Sequence, residues 1–249
     1  MHEKSHNKAW FLNFLPIWYV THKLKLRKKL ENWDDDQYYK HMYAIPILTH
    51  DNVGDKLANL RDAITNEIAK DCTSSRIVDL ATGRGYQARH IWYRGYKNVH
   101  ASDVQVGRVT EAKYLNSDTD ISFTTADMRR LPYRDAMFDA ITISGALHDL
   151  KAAEIGESLQ ECCRILKTGG RLIIMEPRYL GDIPYSLMRK IYSFGCNILD
   201  ESVNMEDFLA FDITSRLLNL GFTLLKRQVV WYSILCIYTF EKIKLTPGA

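Results

Sequence analysis

The sequence predicts an α/β fold in which a mostly parallel sheet is covered by helices on both faces. From Arg76 to Glu176, short β-branched runs alternate with helical stretches, the pattern of parallel strands joined by crossover helices. A glycine-rich turn, Thr82-Gly83-Arg84-Gly85, joins the first run to its helix. Two more β-rich runs, FTLLKRQVV and WYSILCIYTF, follow each other with almost no spacer; this predicts a hairpin and hence an antiparallel pair at the end of the sheet. Composition agrees: 249 residues, 46% hydrophobic and 25% charged, describe a globular body with one main core. With 33 Lys+Arg against 30 Asp+Glu, charge alone does not announce a nucleic-acid partner, and none is expected.

Residues 1–70 read as an N-terminal helical arm and lid. The apolar stretch AWFLNFLPIWYV (9–20) is broken by Asn13 and Pro16 and is well short of the about 20 residues a bilayer span needs. Its positive charges follow it, in His22 to Lys29, rather than precede it as in a secretory signal. An aromatic patch joined to a basic stretch over residues 9–29 suits peripheral membrane contact. A helix packed on the chain's own core, or a homodimer contact, accounts for the same residues. The tyrosine cluster Tyr38, Tyr39 and Tyr43 follows, and then Leu57, Leu60, Ile64 and Ile68 at helical spacing.

Residues 71–249 form the second unit. Its predicted strands are IVDLA (77–81), VHAS (99–102), ISFTT (121–125), FDAITIS (138–144) and RLIIME (171–176). An insertion at 178–204 precedes a helix expected from Glu206 to Leu220 and stopped by Gly221. Five cysteines lack any C-x-x-C pair or metal-like spacing to histidine, so no metal is expected and a reducing, cytoplasmic setting fits. Adjacent Cys162 and Cys163 read as helix packing.

Gly83 through Ala88 satisfy G-x-G-x-x-A, which lets a nucleotide approach backbone at a helix N-terminus. A dinucleotide and S-adenosylmethionine (AdoMet) both fit that pattern, and charge separates them. Asp79 closes the first strand; a carboxylate there repels pyrophosphate and attracts the ammonium of AdoMet, although Arg84 between the glycines could serve a phosphate. Asp103 lies 18 residues after Gly85, where it can accept from ribose hydroxyls. Asp127 follows the third strand, where it can accept from the exocyclic amine of adenine while Met128 lies against the ring. Each acid could instead cap a helix, Asp103 above all. Three acids at the carboxyl ends of successive strands point to the crevice where open α/β sheets bind ligands.

In order, VDLATGRG, HASD, ADMRRLPYRDAMFDAITIS and RILKTGGRLIIMEP resemble the motif series of class I AdoMet-dependent methyltransferases. Within that class the chain is similar to the ubiquinone/menaquinone-biosynthesis C-methyltransferases and the small-molecule enzymes around them. The likeness is clear over about residues 76 to 177. It implies a Rossmann-like sheet of seven strands with the last antiparallel, N-terminal helices, and a cap insertion after the fifth strand. The implied cofactor is AdoMet, leaving as S-adenosylhomocysteine (AdoHcy). Asp79, Ala81, Gly83 and Gly85 would line its methionyl and sulfonium region, Asp103 and Val104 the ribose, and Asp127 and Met128 the adenine, with Ser144 beside the sulfonium.

Methyl transfer needs a nucleophile held in line behind the methyl group and no covalent residue. A general base can assist. His148, in the turn after the fourth strand, is one candidate; capping the next helix or bonding Asp149 would equally explain it. Tyr43 is the other, since aromatic residues of N-terminal helices often close over this pocket; packing would explain the cluster too. Where the quinone enzymes usually read Gly-Leu-Arg-Asn, this chain reads Ala-Leu-His-Asp. In the insertion, Tyr179, Tyr185, Met188, Tyr192 and Phe194 would wall an apolar pocket for a ring or prenyl-like chain. The expected substrate is therefore a small, apolar or aromatic molecule or a membrane redox lipid. N- or O-methylation of a soluble metabolite, peptide or phospholipid head group, and a non-catalytic AdoMet-binding regulatory module, are the alternatives.

Overall fold

The computed structural model describes residues 60–68, 74–177, 204–230 and 235–244. The arm at 9–29, the tyrosines 38, 39 and 43, the insertion aromatics, Cys72 and Cys196 lie outside the described residues. Among the described residues seven strands form one sheet: β1 (Arg76–Leu80), β2 (Asn98–Asp103), β3 (Ser122–Thr125), β4 (Phe138–Ser144), β5 (Leu166–Pro177), β6 (Phe222–Val230) and β7 (Leu235–Lys242). Their order is β3-β2-β1-β4-β5-β7-β6. Strands β1 to β5 pair in parallel, and β7 runs antiparallel between β5 and β6. The last hairpin therefore folds back inside the edge, leaving β6 outermost.

Alternation along the strands decides which face each side chain enters. Val78, Leu80, Ile141, Ile143, Leu172 and Ile174 pack on one face against α3 (Ala152–Ile165), through its Ile155, Leu159 and Cys162. Ile77, Ala140 and Ile173 enter the other, against α1 (Tyr86–Tyr93) and α2 (Val106–Leu115), joined by Ile64 and Ile68. Both faces are covered, which is why the central strands read as nearly unbroken apolar runs. Burial holds the Cys162 thiol in its protonated form. Among the described residues no helix is long and apolar enough to cross a membrane.

The structure corrects two expected elements and decides one alternative. The helix predicted over Glu206–Leu220 is two helices, α4 (Met205–Ala210) and α5 (Ile213–Asn219). Asp212 breaks the run because its carboxylate accepts from the Ser215 amide (3.0 Å) and hydroxyl (2.6 Å), capping a new helix. Asp103 does not cap the helix after it; Gln105 is the N-cap of α2. Strand β5 also begins at Leu166, before its predicted start, with a register shift opposite Phe138/Ala140.

Chain order places the site. From β1 the sheet grows through β2 and β3 in one direction and through β4 in the other. The loops leaving β1 and β4 therefore diverge, opening a crevice at their carboxyl ends.

Candidate functional site

That crevice is a cavity of about 540 Å³, within the range of small-molecule sites. Its wall includes Ala81, Gly83, Asp103, Val104, Asp127, Met128 and Ser144. The turn after β1 is unusual backbone. Ala81 has φ 51° and Gly83 φ 56°, and a Cβ added to Gly83 would meet nothing within 4 Å. Gly83 thus presents bare backbone to the cavity. Gly85 plays a different part: at φ 78°, a Cβ there would lie 2.8 Å from the Phe123 ring and 2.9 Å from Asn116 Nδ2. It is a packing glycine that lets α1 approach β3, and it is absent from the cavity wall.

Asp79 also stands behind the wall. It is 1% exposed; its Oδ2 accepts from the Thr82 hydroxyl (2.6 Å) and its Oδ1 from that of Thr142 (2.7 Å), the residue beside it on β4. Burial pushes its carboxyl up to about 6, partly offset by those hydroxyl donors. Asp79 therefore braces the turn from beneath and acts on a ligand only through its field. Asp103 is a cavity residue: Oδ2 accepts from the Gly83 amide and Oδ1 from the Gln105 amide, both at 2.9 Å. One carboxylate so locks the β1 and β2 loops together and leaves lone pairs for a diol.

Asp127 faces the cavity with its neighbour's arginine already on it. Arg129 donates through Nε to both oxygens (3.0 and 2.9 Å) and through Nη2 to Oδ2 (2.6 Å), and Nη1 reaches Glu154. These bonds hold the Asp127 carboxyl below its usual range. Met128 and the exposed Val104 supply apolar surface nearby.

His148 lies just behind this wall, buried against the Phe208 ring at 6.3 Å. Its Nδ1 is 2.7 Å from Glu176 Oε2, and its Nε2 lies 3.6 Å from Asp149 Oδ1. Glu176, wholly buried, also accepts the amides of Ala146 (2.8 Å) and Leu147 (2.7 Å) through Oε1. Against a carboxylate that already accepts two amides, the ring nitrogen suited to Glu176 is one that donates, an assignment that puts hydrogen on Nδ1. Together Glu176 and His148 hold the 145–148 turn, whose Gly145 and Ala146 form the floor beside Ser144.

Glu176, Thr82 and Thr142 were missed in the sequence. The signal for Glu176 was present: an acid directly after four apolar residues at a strand's carboxyl end, the same placement as Asp79. Leu60, Arg61, Ile64, Tyr86, Gln87 and Met175 also reach the wall. Thr65 links their two elements, accepting from Gln87 Nε2 (3.1 Å) and donating to the Arg61 carbonyl (2.7 Å).

Residues 78–174 match the family described as a methyltransferase domain. The demethylmenaquinone methyltransferase of Beutenbergia cavernae is 34% identical over 119 residues, covering 48% of this chain and 46% of the relative. The ubiquinone/menaquinone biosynthesis C-methyltransferase of Pseudomonas paraeruginosa is 29% identical over 138 residues, covering 52% of each. The chain thus spans about half the length of the relatives it matches. A SAM-dependent methyltransferase structure from Methanosarcina mazei superposes with a TM-score of 0.57 at 18% identity, covering 72% of this chain and 97% of the other. That likeness is one of fold.

Proposed function

We propose that this chain, whose residues 78–174 match a methyltransferase-domain family, is a class I AdoMet-dependent methyltransferase that methylates a small apolar or aromatic acceptor, with a quinone-like ring as the leading class. The observation that carries the cofactor half is Asp103 at the mouth of a turn whose Gly83 backbone is open to the cavity. The residues suit the group: Asp103 offers acceptors to a ribose diol, Gly83 admits close backbone contact, and Asp79 sets a negative field under the end where a cation would lie. Met128 and Val104 add apolar surface for a base. Bound AdoMet supplies an activated methyl group on a sulfonium.

The protein's own work is positional. Asp103 ties the first two loops into one surface. Glu176 fixes the floor at Gly145 and Ala146, and His148, held through Nδ1 just behind the wall, is the first candidate base for the acceptor. Tyr43 is the second candidate for the acceptor side. The names of the relatives support a quinone-like ring. The Ala-Leu-His-Asp turn favours a second reading, an acceptor with a more acidic O–H or N–H such as a soluble metabolite.

Calorimetric titration with AdoMet, AdoHcy and NADH tests the cofactor. Micromolar AdoMet affinity, lost by at least tenfold in Asp103→Ala, is expected; tighter NADH binding defeats the assignment. Incubation with labelled AdoMet and a demethylated quinol in vesicles, against soluble phenols and amines, separates the acceptor classes. Within this proposal residues 9–29 serve as the lipid-side contact, alone or as a homodimer. Removing residues 1–30 should abolish vesicle binding and spare AdoMet affinity.

A further inference from the structure

The carboxylate that a base amine in the cavity would need is already taken. Asp127 lines the cavity beside Met128 and Arg129. Its two oxygens accept four contacts from Arg129: Oδ1 from the backbone amide (2.9 Å) and Nε (3.0 Å), Oδ2 from Nε (2.9 Å) and Nη2 (2.6 Å). A carboxylate has about four acceptor directions, so a further donor finds a place on Asp127 only if one of these contacts gives way. Asp103 differs: it accepts two amides, one on each oxygen, and keeps room for a diol.

Both ends of the Arg129 contact are fixed. The loop after β3 is pinned by the Ala126 amide on the Asp103 carbonyl and the Arg130 amide on the Asp127 carbonyl, each at 2.9 Å. Leu131, 5% exposed in the core, donates its amide to Glu161 at 2.8 Å. On the other side Arg129 Nη1 donates to Glu154 Oε1 at 2.5 Å, and Glu154 Oε2 accepts the Lys151 amide (3.0 Å) at the start of α3. Glu154 lines the same cavity. Arg129 thus bridges the β3 loop to α3 through two carboxylates whose backbones are held in place. The side chains are freer: those of Arg129, Asp127 and Glu154 are 38%, 35% and 30% exposed, and ion pairs so open to water are individually weak. A guanidinium that leaves Asp127 keeps Glu154, so the exchange strands no charge.

We infer that Arg129 and the exocyclic amine of the cofactor's adenine compete for Asp127, so that Arg129 restrains affinity at the base end instead of adding to it. The inference rests on the AdoMet reading of the cavity. As the base seats against Met128 and Val104, its amine replaces an Arg129 donor on Asp127 and the guanidinium turns to Glu154. A base without the amine has nothing to exchange and leaves the Arg129–Asp127 contact intact. Arg129 therefore also narrows discrimination, because what the amine gains on Asp127 is offset by what Arg129 loses there.

The test is calorimetry on the full chain with AdoHcy and its deaminated analogue, in which hydrogen replaces the exocyclic amine. Arg129→Met should bind AdoHcy about two- to five-fold more tightly than wild type, the range of an exposed ion pair, while its affinity for the analogue changes by less than about 1.5-fold. Arg129→Lys should fall between, and Arg129→Met introduced beside Asp127→Ala should bring no gain. The wild-type deficit for AdoHcy should shrink from about 0.1 M to about 1 M salt, as the screening length falls from about 10 Å to about 3 Å. Weaker AdoHcy binding by Arg129→Met would mean the arginine supports the base. No change would mean Asp127 is not exchanged, and an equal gain for both ligands would mean Arg129 merely obstructs the mouth; each of these overturns the inference. If wild type binds neither ligand, the AdoMet reading fails and the inference falls with it. A urea midpoint for each variant identifies misfolding, and Arg129→Lys, which keeps the charge, then carries the comparison.

Discussion

Replacing Asp79 by Asn isolates the cost of a buried charge. The native carboxyl titrates at about 6, against 3.8 for the free group. Below the lower value both folded and unfolded chains hold the proton, and the site contributes its full stability. As pH rises through about 6, the native state must carry an anion with 1% exposure, and that stability is lost. A gap of about two units at 1.36 kcal/mol per unit gives about 3 kcal/mol. Asn keeps the shape and stays neutral, though one of the two hydroxyls must turn from donor to acceptor, a pH-independent offset of about 1 kcal/mol. Urea unfolding of both chains, followed by circular dichroism from about pH 4 to 7.5, reads the difference directly. Asp79→Asn should gain about 3 kcal/mol on wild type across that window, with most of the change between pH 4 and 6. In the same window, AdoMet affinity of wild type should rise with pH as the anion forms under the ligand's cationic end, while that of Asp79→Asn stays flat. A stability difference that does not move with pH, or moves in the opposite sense, refutes the argument.

The two glycines of the turn should separate in one pair of variants. Gly85→Ala meets Phe123 and Asn116 at under 3 Å with φ 78° and should cost roughly 2–4 kcal/mol in thermal or urea unfolding. Gly83→Ala has open space and should cost only about 1 kcal/mol while weakening AdoHcy binding in calorimetry. Glu176→Gln sets an amide donor against either two backbone amides or the His148 ring, so a loss of about 2–4 kcal/mol is expected. A double-mutant cycle with His148→Ala should return a coupling of at least about 1 kcal/mol, and strict additivity would break the Glu176–His148 link. Asp212→Ala should remove the cap that divides α4 from α5, at about 1 kcal/mol.

Strand positions and the location of the cavity were legible because both depend on local pattern. β4 runs over Phe138–Ser144, as its period predicts, since alternation alone decides which side chains enter each core. Asp103 was readable from its spacing behind the glycine turn. The 206–220 segment was not, because a capping side chain at Asp212 outweighed an apolar period that continues through it.

By itself, the sequence determined the order of strands and helices, the glycine-rich turn at Thr82–Gly85, and the row of acids at the strands' carboxyl ends, because each is written within a few neighbouring residues. Only the tertiary structure decided what those acids do. Asp79 meets Thr142 across 63 residues, and Glu176 meets His148 across 28; hydroxyls and ring so far along the chain reach them only through sheet pairing. Burial is likewise a property of the assembled layers: the same carboxylate is a brace at Asp79 and a cavity acceptor at Asp103, because one lies under its loop and the other at the rim. Arg61 faces the cavity for the same reason, carried there by two isoleucines that the core required.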